Sequence, residues 1–490
     1  MNIKNLFKTK GIETILGEAE CPEFSLKKVL NWFDVIMIGI GAIIGAGIFA
    51  MVGEAAVKGN AGPSLIISFI ITSIACGFCA LCYAELASMV SVSGSAYTYS
   101  YATMGEIIAW IIGWDLILEY AIGNIAVAIS WSGYFNELIK SIFSVEIPLW
   151  LGMDYRSFIQ NNFDISTVPR LFGIPIVFNL PAFLIVSFIT FILVIGIKES
   201  SRLNNFIVVS KIIILLIFVI TVFYYLKPEN FIPFAPGGLK GIQIGAATIF
   251  FAYIGFDAVS TVAEETEKPS RDMPVRIIGS LLISTILYIL VNIALIGMIP
   301  YKELSSQINE PIAAALSYNK APRFLIALIS IGALISTTAV LLVFQMGQPR
   351  IFFAMARDGL LPKIFSSVHK KFKTPHITTI LTGIFVGFFA IISNLNEMAD
   401  LYNIGTLFAF IIVCIGVIIL RIKDPNRKRP FKVPFGYTIP IFGIVCCFYL
   451  MFGLSKITWF RFFIWLFIGI LIYFFYGVKH SHIRREVKNV

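Results

Sequence analysis

Four glycines interrupt the first long apolar stretch of the chain, at residues 35–53. They are Gly39, Gly41, Gly45 and Gly47. A glycine inside a helix costs about 0.8–1 kcal/mol relative to alanine, and irregular backbone at membrane depth is tolerated only where it is buried in protein or lines a cavity. We therefore expect the helix to break here, with free backbone N–H groups facing a carboxylate. The alternative is a helix-packing face of small residues.

A second apolar stretch, residues 244–265, carries Gly255 and Asp257 near its middle. It follows the first break by 210 residues, counted from Gly45 to Gly255. Two interrupted hydrophobic segments in corresponding halves of a membrane protein are the best sequence indication of a secondary transporter's binding site. The two breaks together therefore favour a transporter whose site lies near the middle of the bilayer.

Lys211 stands inside an apolar run, SKIIILLIFVI at 210–220. A lysine at the centre of a transmembrane helix costs about 2.5–3.5 kcal/mol, so it is a functional-site hypothesis by default. Burial disfavours the charged amine, which makes proton binding and release a candidate function for Lys211. The alternative is a structural lysine whose amine reaches the membrane surface.

Two carboxylates, Glu119 and Asp257, also lie inside apolar segments. Buried carboxylates within a membrane are typical of proton relays. With Lys211 they form a candidate set for proton coupling. The alternative is that both are fixed structural partners of backbone or hydroxyl groups.

The composition is that of a polytopic membrane protein. The chain of 490 residues is 58% hydrophobic and 13% charged, with a mean hydropathy of +0.87. Apolar windows of about 20 residues are the unit that crosses a bilayer as a helix, and twelve can be counted between residues 33 and 478. The sequence therefore predicts an all-α protein with twelve transmembrane helices.

The net charge of +10 reflects membrane orientation. If the N-terminus is cytoplasmic, 26 of the 38 Lys and Arg residues fall on the cytoplasmic side. That asymmetry is the positive-inside rule, and it predicts cytoplasmic termini in a multi-pass protein of the plasma membrane. No nucleic-acid partner is expected, and no cleavable signal peptide is visible in the polar first thirty residues.

Neither the cysteines nor the histidines suggest a metal site or a cofactor. Cys76, Cys79 and Cys82 have CxxCxxC spacing but lie in an apolar helix, where small packing residues are expected. The four histidines lack metal-site spacing, and no motif pairs a nucleophile with a base. We predict no metal, no cofactor and no enzymatic activity.

The chain resembles the amino acid–polyamine–organocation transporters, and most closely the bacterial members of their cationic amino acid transporter branch. The resemblance covers about residues 24–480. The motifs that carry it include GIGAIIGAGIFAMVG (39–53), GWDLILEY (113–120), FFAYIGFDAVSTVAEETEKPSRDMP (250–274) and GQPRIFFAMARDGLLPK (347–363). It implies a five-plus-five inverted repeat like that of the leucine transporter, with helices 1 and 6 broken and transport by alternating access.

This fold divides the chain into five parts. A cytoplasmic N-terminal segment with an interfacial helix occupies residues 1–32, and the first repeat, helices 1–5, occupies 33–226. The second repeat, helices 6–10, occupies 242–421. Peripheral helices 11 and 12 follow at 435–478, and a cytoplasmic tail at 479–490.

The resemblance also implies the substrate site, residue by residue. The backbone N–H groups of Ile44, Gly45, Ala46 and Gly47 would bind the substrate carboxylate. Backbone carbonyls around Phe251, Ala252, Tyr253 and Ile254 would bind its ammonium group. The ring of Phe251 would close over the bound substrate as a gate, and Leu341 would line the side-chain pocket.

The coupling residues follow in the same way. Lys211 matches a lysine that replaces a sodium ion in proton-coupled relatives, where it would bridge helices 1 and 8. The polar run 336–338 is its expected neighbour in helix 8. The positions of Glu119 and Asp257 are tied to coupling in related transporters.

The predicted function is a proton-coupled amino acid permease that acts on small neutral substrates such as alanine, or on cationic ones. Its predicted partners are the amino acid, protons and the lipid bilayer, and the sequence identifies no protein partner. An exchanger of amino acids for amines, without net proton coupling, is the alternative. A non-transporting receptor finds no support in the sequence.

Overall fold

A computed structural model describes most of the chain. The described residues are 6–20, 32–90, 95–160, 163–164, 168–195, 201–257, 269–304, 310–369, 371–372 and 374–482. Within them the fold is helical, apart from one antiparallel pair of two-residue strands, Arg170–Leu171 and Ile174–Pro175.

Nineteen α-helices are present in these residues. In chain order they begin with α1 (Ile12–Glu20), α2 (Trp32–Ile43), α3 (Val52–Val57), α4 (Leu65–Met89), α5 (Ser95–Thr103), α6 (Glu106–Phe143), α7 (Leu149–Gly152), α8 (Tyr155–Gln160), α9 (Leu180–Ile195) and α10 (Ser201–Tyr225). They continue as α11 (Gly238–Ile249), α12 (Pro269–Met298), α13 (Pro311–Tyr318), α14 (Arg323–Arg357), α15 (His376–Ile392), α16 (Leu395–Lys423), α17 (Thr438–Met451), α18 (Lys456–Ile472) and α19 (Val478–His480).

Eight helical segments of the described chain are long and apolar enough to cross a membrane, and α9, α15 and α17 are shorter apolar helices. The predicted helical class is confirmed. The count of twelve spans, the inverted repeat and the division of the chain into parts stay predictions. The predicted interfacial helix, residues 24–32, falls outside the described residues except for its last position, and the tail beyond 482 also falls outside them.

Helix α6 forms the centre of the bundle. Its 38 residues reach about 57 Å at 1.5 Å per residue, well beyond the about 30 Å of a bilayer's hydrocarbon core. It packs along α14 and α16. Of the residues in its most apolar part, 89% are buried inside the protein. In the segment Lys456–His480 only 22% of the residues in the most apolar part are buried, so most of its apolar surface faces outward.

The backbone departs from α-helix at both predicted breaks. Helix α2 ends at Ile43, and a π-helical segment, Gly47–Met51, precedes α3. Helix α11 ends at Ile249 and tightens into a 3₁₀ turn, Phe250–Tyr253, after which Gly255 has φ +122°. Residues 258–268 lie outside the described part, so the far side of the second break is not described.

Candidate functional site

A small cavity lies where the two irregular segments meet. Its volume is ≈ 10 Å³, about the space of one water molecule, so the cavity is nearly closed in this structure. The residues that line it are Ala42, Ile43, Gly45, Ala46, Gly47, Val127, Phe251, Ile254, Val340, Phe344 and Tyr402. Five of the nine predicted substrate residues are therefore on its wall.

The two breaks touch each other at Gly47. A Cβ atom at this position would lie 2.2 Å from the Cα of Ala252, so only glycine allows the two backbones to approach this closely. At Gly45 a Cβ would lie 2.6 Å from a methyl group of Val340. The glycines of the first break thus allow close contact with the second break and with α14.

Lys211 binds the carbonyl groups that the first break leaves without helical partners. Its side chain is fully buried, and its Nζ donates hydrogen bonds of 2.9 Å to the carbonyls of Gly41 and Ile44. A helix that stops must satisfy its last carbonyls in some other way, and here a side chain from α10 does so. The lysine therefore contacts the backbone of the predicted substrate site directly.

The predicted contact of Lys211 with helix α14 is less direct. The hydroxyls of Thr337 and Thr338 bond to carbonyls of their own helix. The hydroxyl of Ser336 is buried without a hydrogen-bond partner in the described residues. The hydrogen bonds of Lys211 itself go to the first break alone among the described residues.

Tyr288 of α12 joins the two breaks, and the sequence did not single it out. Its hydroxyl oxygen lies 2.8 Å from the carbonyl oxygen of Ile43 and 2.8 Å from that of Ala252. A hydroxyl has one proton to donate, so it bonds one carbonyl at a time. The carbonyl of Ala252, which was predicted to receive the substrate's ammonium group, is therefore one of two acceptors within reach of the Tyr288 hydroxyl. The neighbouring Tyr253 points elsewhere, to the carbonyl of Phe69.

Aromatic rings cover one side of the cavity. The ring of Phe251 meets that of Tyr402 edge-on, with 5.3 Å between ring centroids, and Tyr402 lies 5.9 Å from Phe344. Beneath them, a Cβ on Gly123 would lie 3.0 Å from Tyr402 and 3.2 Å from Phe344. The role of Phe251 as a gate stays a prediction.

The predicted pocket residue Leu341 is fully buried but is absent from the cavity wall. Its neighbour Val340 and, one turn on, Phe344 line the cavity instead. Adjacent residues of a helix point about 100° apart. An error of one position in the predicted wall residue is therefore enough to place its side chain outside the cavity.

Glu119 and Asp257 lie close enough to interact electrostatically, and Glu119 shares a hydrogen bond with Thr406. Glu119 is 3% exposed and Asp257 5% exposed. Asp257 accepts a 3.2 Å hydrogen bond from the N–H of Gly255, so it also stabilises the second break. A third carboxylate, Asp115, interacts with Glu119, and neither of its oxygens has a hydrogen-bond partner in the described part.

A cross-helix ion pair joins the end of α3 to α16, and the sequence analysis missed it too. Lys58, at the end of α3, donates to both carboxylate oxygens of Asp400 in α16, at 2.9 and 2.8 Å. Asp400 precedes the cavity residue Tyr402 by two positions. The available sequence signal was an acid–base pair, Glu54 and Lys58, one helical turn apart at the end of an apolar stretch.

No group of three or more metal-ligating side chains is present within the described ranges. The Sγ atoms of Cys79 and Cys447 lie 3.4 Å apart, and Cys414 is 4.0 Å from Cys79. These buried thiols pack between α4, α16 and α17.

Known proteins with similar sequences are membrane transporters. A family model described as an amino acid permease matches residues 30–475. The chain is 45% identical over 479 residues to a methylthioribose transporter of Bacillus subtilis, which covers 98% of this chain and 99% of that protein. It is 44% identical over 481 residues to the branched-chain amino acid permease BcaP of the same organism, with the same coverage. A vacuolar cationic amino acid transporter of Arabidopsis thaliana is 37% identical over 437 residues, which are 87% of this chain and 64% of that protein.

Proposed function

We propose that this chain, which belongs to the amino acid permease family, imports neutral amino acids with short apolar side chains together with protons. Membership of the family makes it an amino acid transporter and not an enzyme. Substrate choice, proton coupling and orientation are our inferences from the site.

The chemistry of the cavity wall supports a neutral substrate. Among the described residues its side chains are apolar or aromatic, and none of them is charged. A cationic side chain bound there would lose water without gaining a counter-ion, at a cost of several kcal/mol. The relative named as a branched-chain permease agrees with this assignment better than those named for cationic substrates.

Backbone groups would recognise the part that all α-amino acids share. The N–H groups of residues 44–47 would receive the carboxylate, as helix-start dipoles favour an anion. Carbonyls of residues 251–254 would receive the ammonium group, which would displace the hydroxyl of Tyr288 from Ala252. Phe251 would then close the site.

Lys211 is our candidate for the coupling residue. Its ammonium form donates to the carbonyls of Gly41 and Ile44. Loss of the proton would remove one donor and the positive charge, and would loosen the first break. Glu119 and Asp257 form a second candidate proton site, separate from Lys211. The electrostatic interaction between the two carboxylates supports this assignment.

We infer that the protein lies in the plasma membrane with both termini in the cytoplasm, because Lys and Arg are concentrated on that side. The five-plus-five repeat fits this orientation. Lys58 and Asp400 then lie on the outer side of the cavity, and Lys211 lies on the inner side of the first break.

Uptake of labelled compounds into proteoliposomes tests the substrate assignment. The panel contains alanine, valine, leucine, arginine, lysine and, because of the relative's name, methylthioribose. We expect a pH gradient, acidic outside, to drive alanine and valine uptake, and a sodium gradient at equal pH to drive none. Arginine or methylthioribose as the preferred substrate would contradict the neutral-substrate proposal. Uptake that needs a trapped internal amine and ignores pH would support the exchanger instead.

A further inference from the structure

A buried carboxylate lies beside the Lys58–Asp400 ion pair and takes no part in it. Glu54 of α3 is 6% exposed, and its Oε2 atom has no hydrogen-bond partner among the described residues. Leaving a buried polar atom unsatisfied costs about 1–3 kcal/mol. Such an atom beside a movable ammonium group calls for an explanation.

Lys58 has two carboxylates within reach of its charge. Glu54 interacts electrostatically with both Lys58 and Asp400, so two acids share one base. Glu54 precedes Lys58 by four residues, the spacing and order that favour an ion pair along one helix. In this structure the Lys58 amine nevertheless reaches across to Asp400, on α16.

The ion pair joins two walls of the cavity. Helix α3 continues from the π-helical segment that contains Gly47, and Asp400 lies two residues before Tyr402. Entry of a substrate from this side requires the walls to separate, so the Lys58–Asp400 pair must break. The pair is partly buried, with side-chain exposures of 27% for Lys58 and 8% for Asp400, so breaking it without a replacement partner costs free energy.

We propose that Glu54 is the second partner of Lys58 in the transport cycle. Lys58 pairs with Asp400 across the helices when this side is closed, and with Glu54 along α3 when it is open. The ammonium group is then paired in both states, so the free-energy difference between them stays small and substrate binding can shift it. Glu54 is thus a positioning residue for opening, and this role rests on the alternating-access function proposed above.

Spin-label distances across this opening test the proposal. The labels are attached to ketone-bearing residues introduced at positions 60 and 392, so that the native cysteines stay unlabelled. The open state is measured as the population with the longer distance between the two labels. We expect Glu54→Gln to lower that population about twofold, the factor that an ion pair four residues apart on one helix supplies, and Asp400→Asn to raise it by at least that factor. Glu54→Asp, which keeps the charge, should restore most of the open population.

A Lys58→Gln background separates this role from a general structural one. With the shared base removed, Glu54→Gln should leave the distance distribution unchanged. The matched control is Glu146→Gln, which removes the acid of an exposed pair with Lys140 and should have no effect. An unchanged distribution in Glu54→Gln, or a shift that persists without Lys58, would overturn the proposal.

The measurement needs neither substrate nor a pH gradient. Its failure would therefore leave the proposed permease function intact. If uptake fails instead, the label distances still test the role of Glu54, because they do not depend on transport. Size-exclusion profiles and melting temperatures of all these variants exclude unfolding as the cause of a shift.

Discussion

Val340 and Gly123 set the size of the cavity from two sides. A methyl group of Val340 lies against Gly45, and Gly123 lies under the rings of Phe344 and Tyr402. We predict that Val340→Ala will shift preference toward longer side chains, since each additional buried CH₂ is worth about 0.8 kcal/mol. Gly123→Ala should have the opposite effect, because its methyl group pushes the rings into the cavity. The measurement is the ratio of leucine to alanine uptake in proteoliposomes.

Opposite shifts in that ratio are the expected result for these two variants. If both ratios stay at the wild-type value, the side chain of the substrate does not occupy this cavity.

The backbone at Gly45 is the second position open to a sharp test. Gly45→Leu should abolish substrate binding while membrane insertion persists, because its side chain would collide with Val340 and cover the N–H groups. Overpacking of this kind costs about 1–3 kcal/mol. The measurement is equilibrium binding of labelled alanine to purified protein. Gly77→Leu is the matched control, since a Cβ at Gly77 meets nothing within 4 Å. Wild-type affinity in Gly45→Leu would place the site elsewhere.

Three single residues show what could and could not be predicted from the sequence. Lys211 could be selected as a candidate functional residue from the sequence, because a charge inside an apolar stretch costs free energy whichever way the helix is rotated. Leu341 could not be placed, because the wall position depends on the rotation of α14, which its neighbours determine. Tyr288 gave no signal, since its role depends on contacts with Ile43, 245 residues away in the chain.

The two broken helices were predictable because their cause is local. Glycines weaken a helix where they stand, whatever the rest of the chain does. Which groups satisfy the freed carbonyls was only partly predictable, because those groups come from other helices. Lys211 of α10 and Tyr288 of α12 supply the donors, and the ion pair from α3 to α16 joins residues 342 positions apart.

The geometry of the breaks predicts which analogues compete with substrate. In the proposed site, backbone N–H groups at the first break bind the substrate carboxylate, and carbonyls at the second bind its ammonium group. A decarboxylated amine or an N-acetylated amino acid should therefore compete at least about tenfold more weakly than alanine, since each lacks one charge-assisted set of hydrogen bonds. Competition against labelled alanine in detergent provides the measurement. Alanine-like potency of the amine would favour the exchanger.

The chain as a whole places 26 of its 38 Lys and Arg residues on the cytoplasmic side in the proposed orientation, in agreement with the positive-inside rule. A cysteine placed at Phe172, 94% exposed in the structure, should react with an impermeant maleimide in intact cells. A cysteine at His482 should react only after the cells are permeabilised. The native protein, with its cysteines retained, is the control for background labelling. Labelling at position 482 in intact cells would invert the proposed topology.

Proton coupling through Lys211 is the central claim, and concentrative uptake tests it most directly. Proteoliposomes with an acidic exterior, and no sodium, should accumulate labelled alanine above its external concentration. Lys211→Ala should abolish accumulation but keep alanine–alanine exchange, which needs no return of the empty carrier. Lys211→Arg should also fail to accumulate, because a guanidinium keeps its proton at working pH. Lys227→Ala, a change outside the apolar run, should accumulate like the wild type. Accumulation by Lys211→Ala under a pH gradient alone would contradict the claim and leave coupling to Glu119 and Asp257.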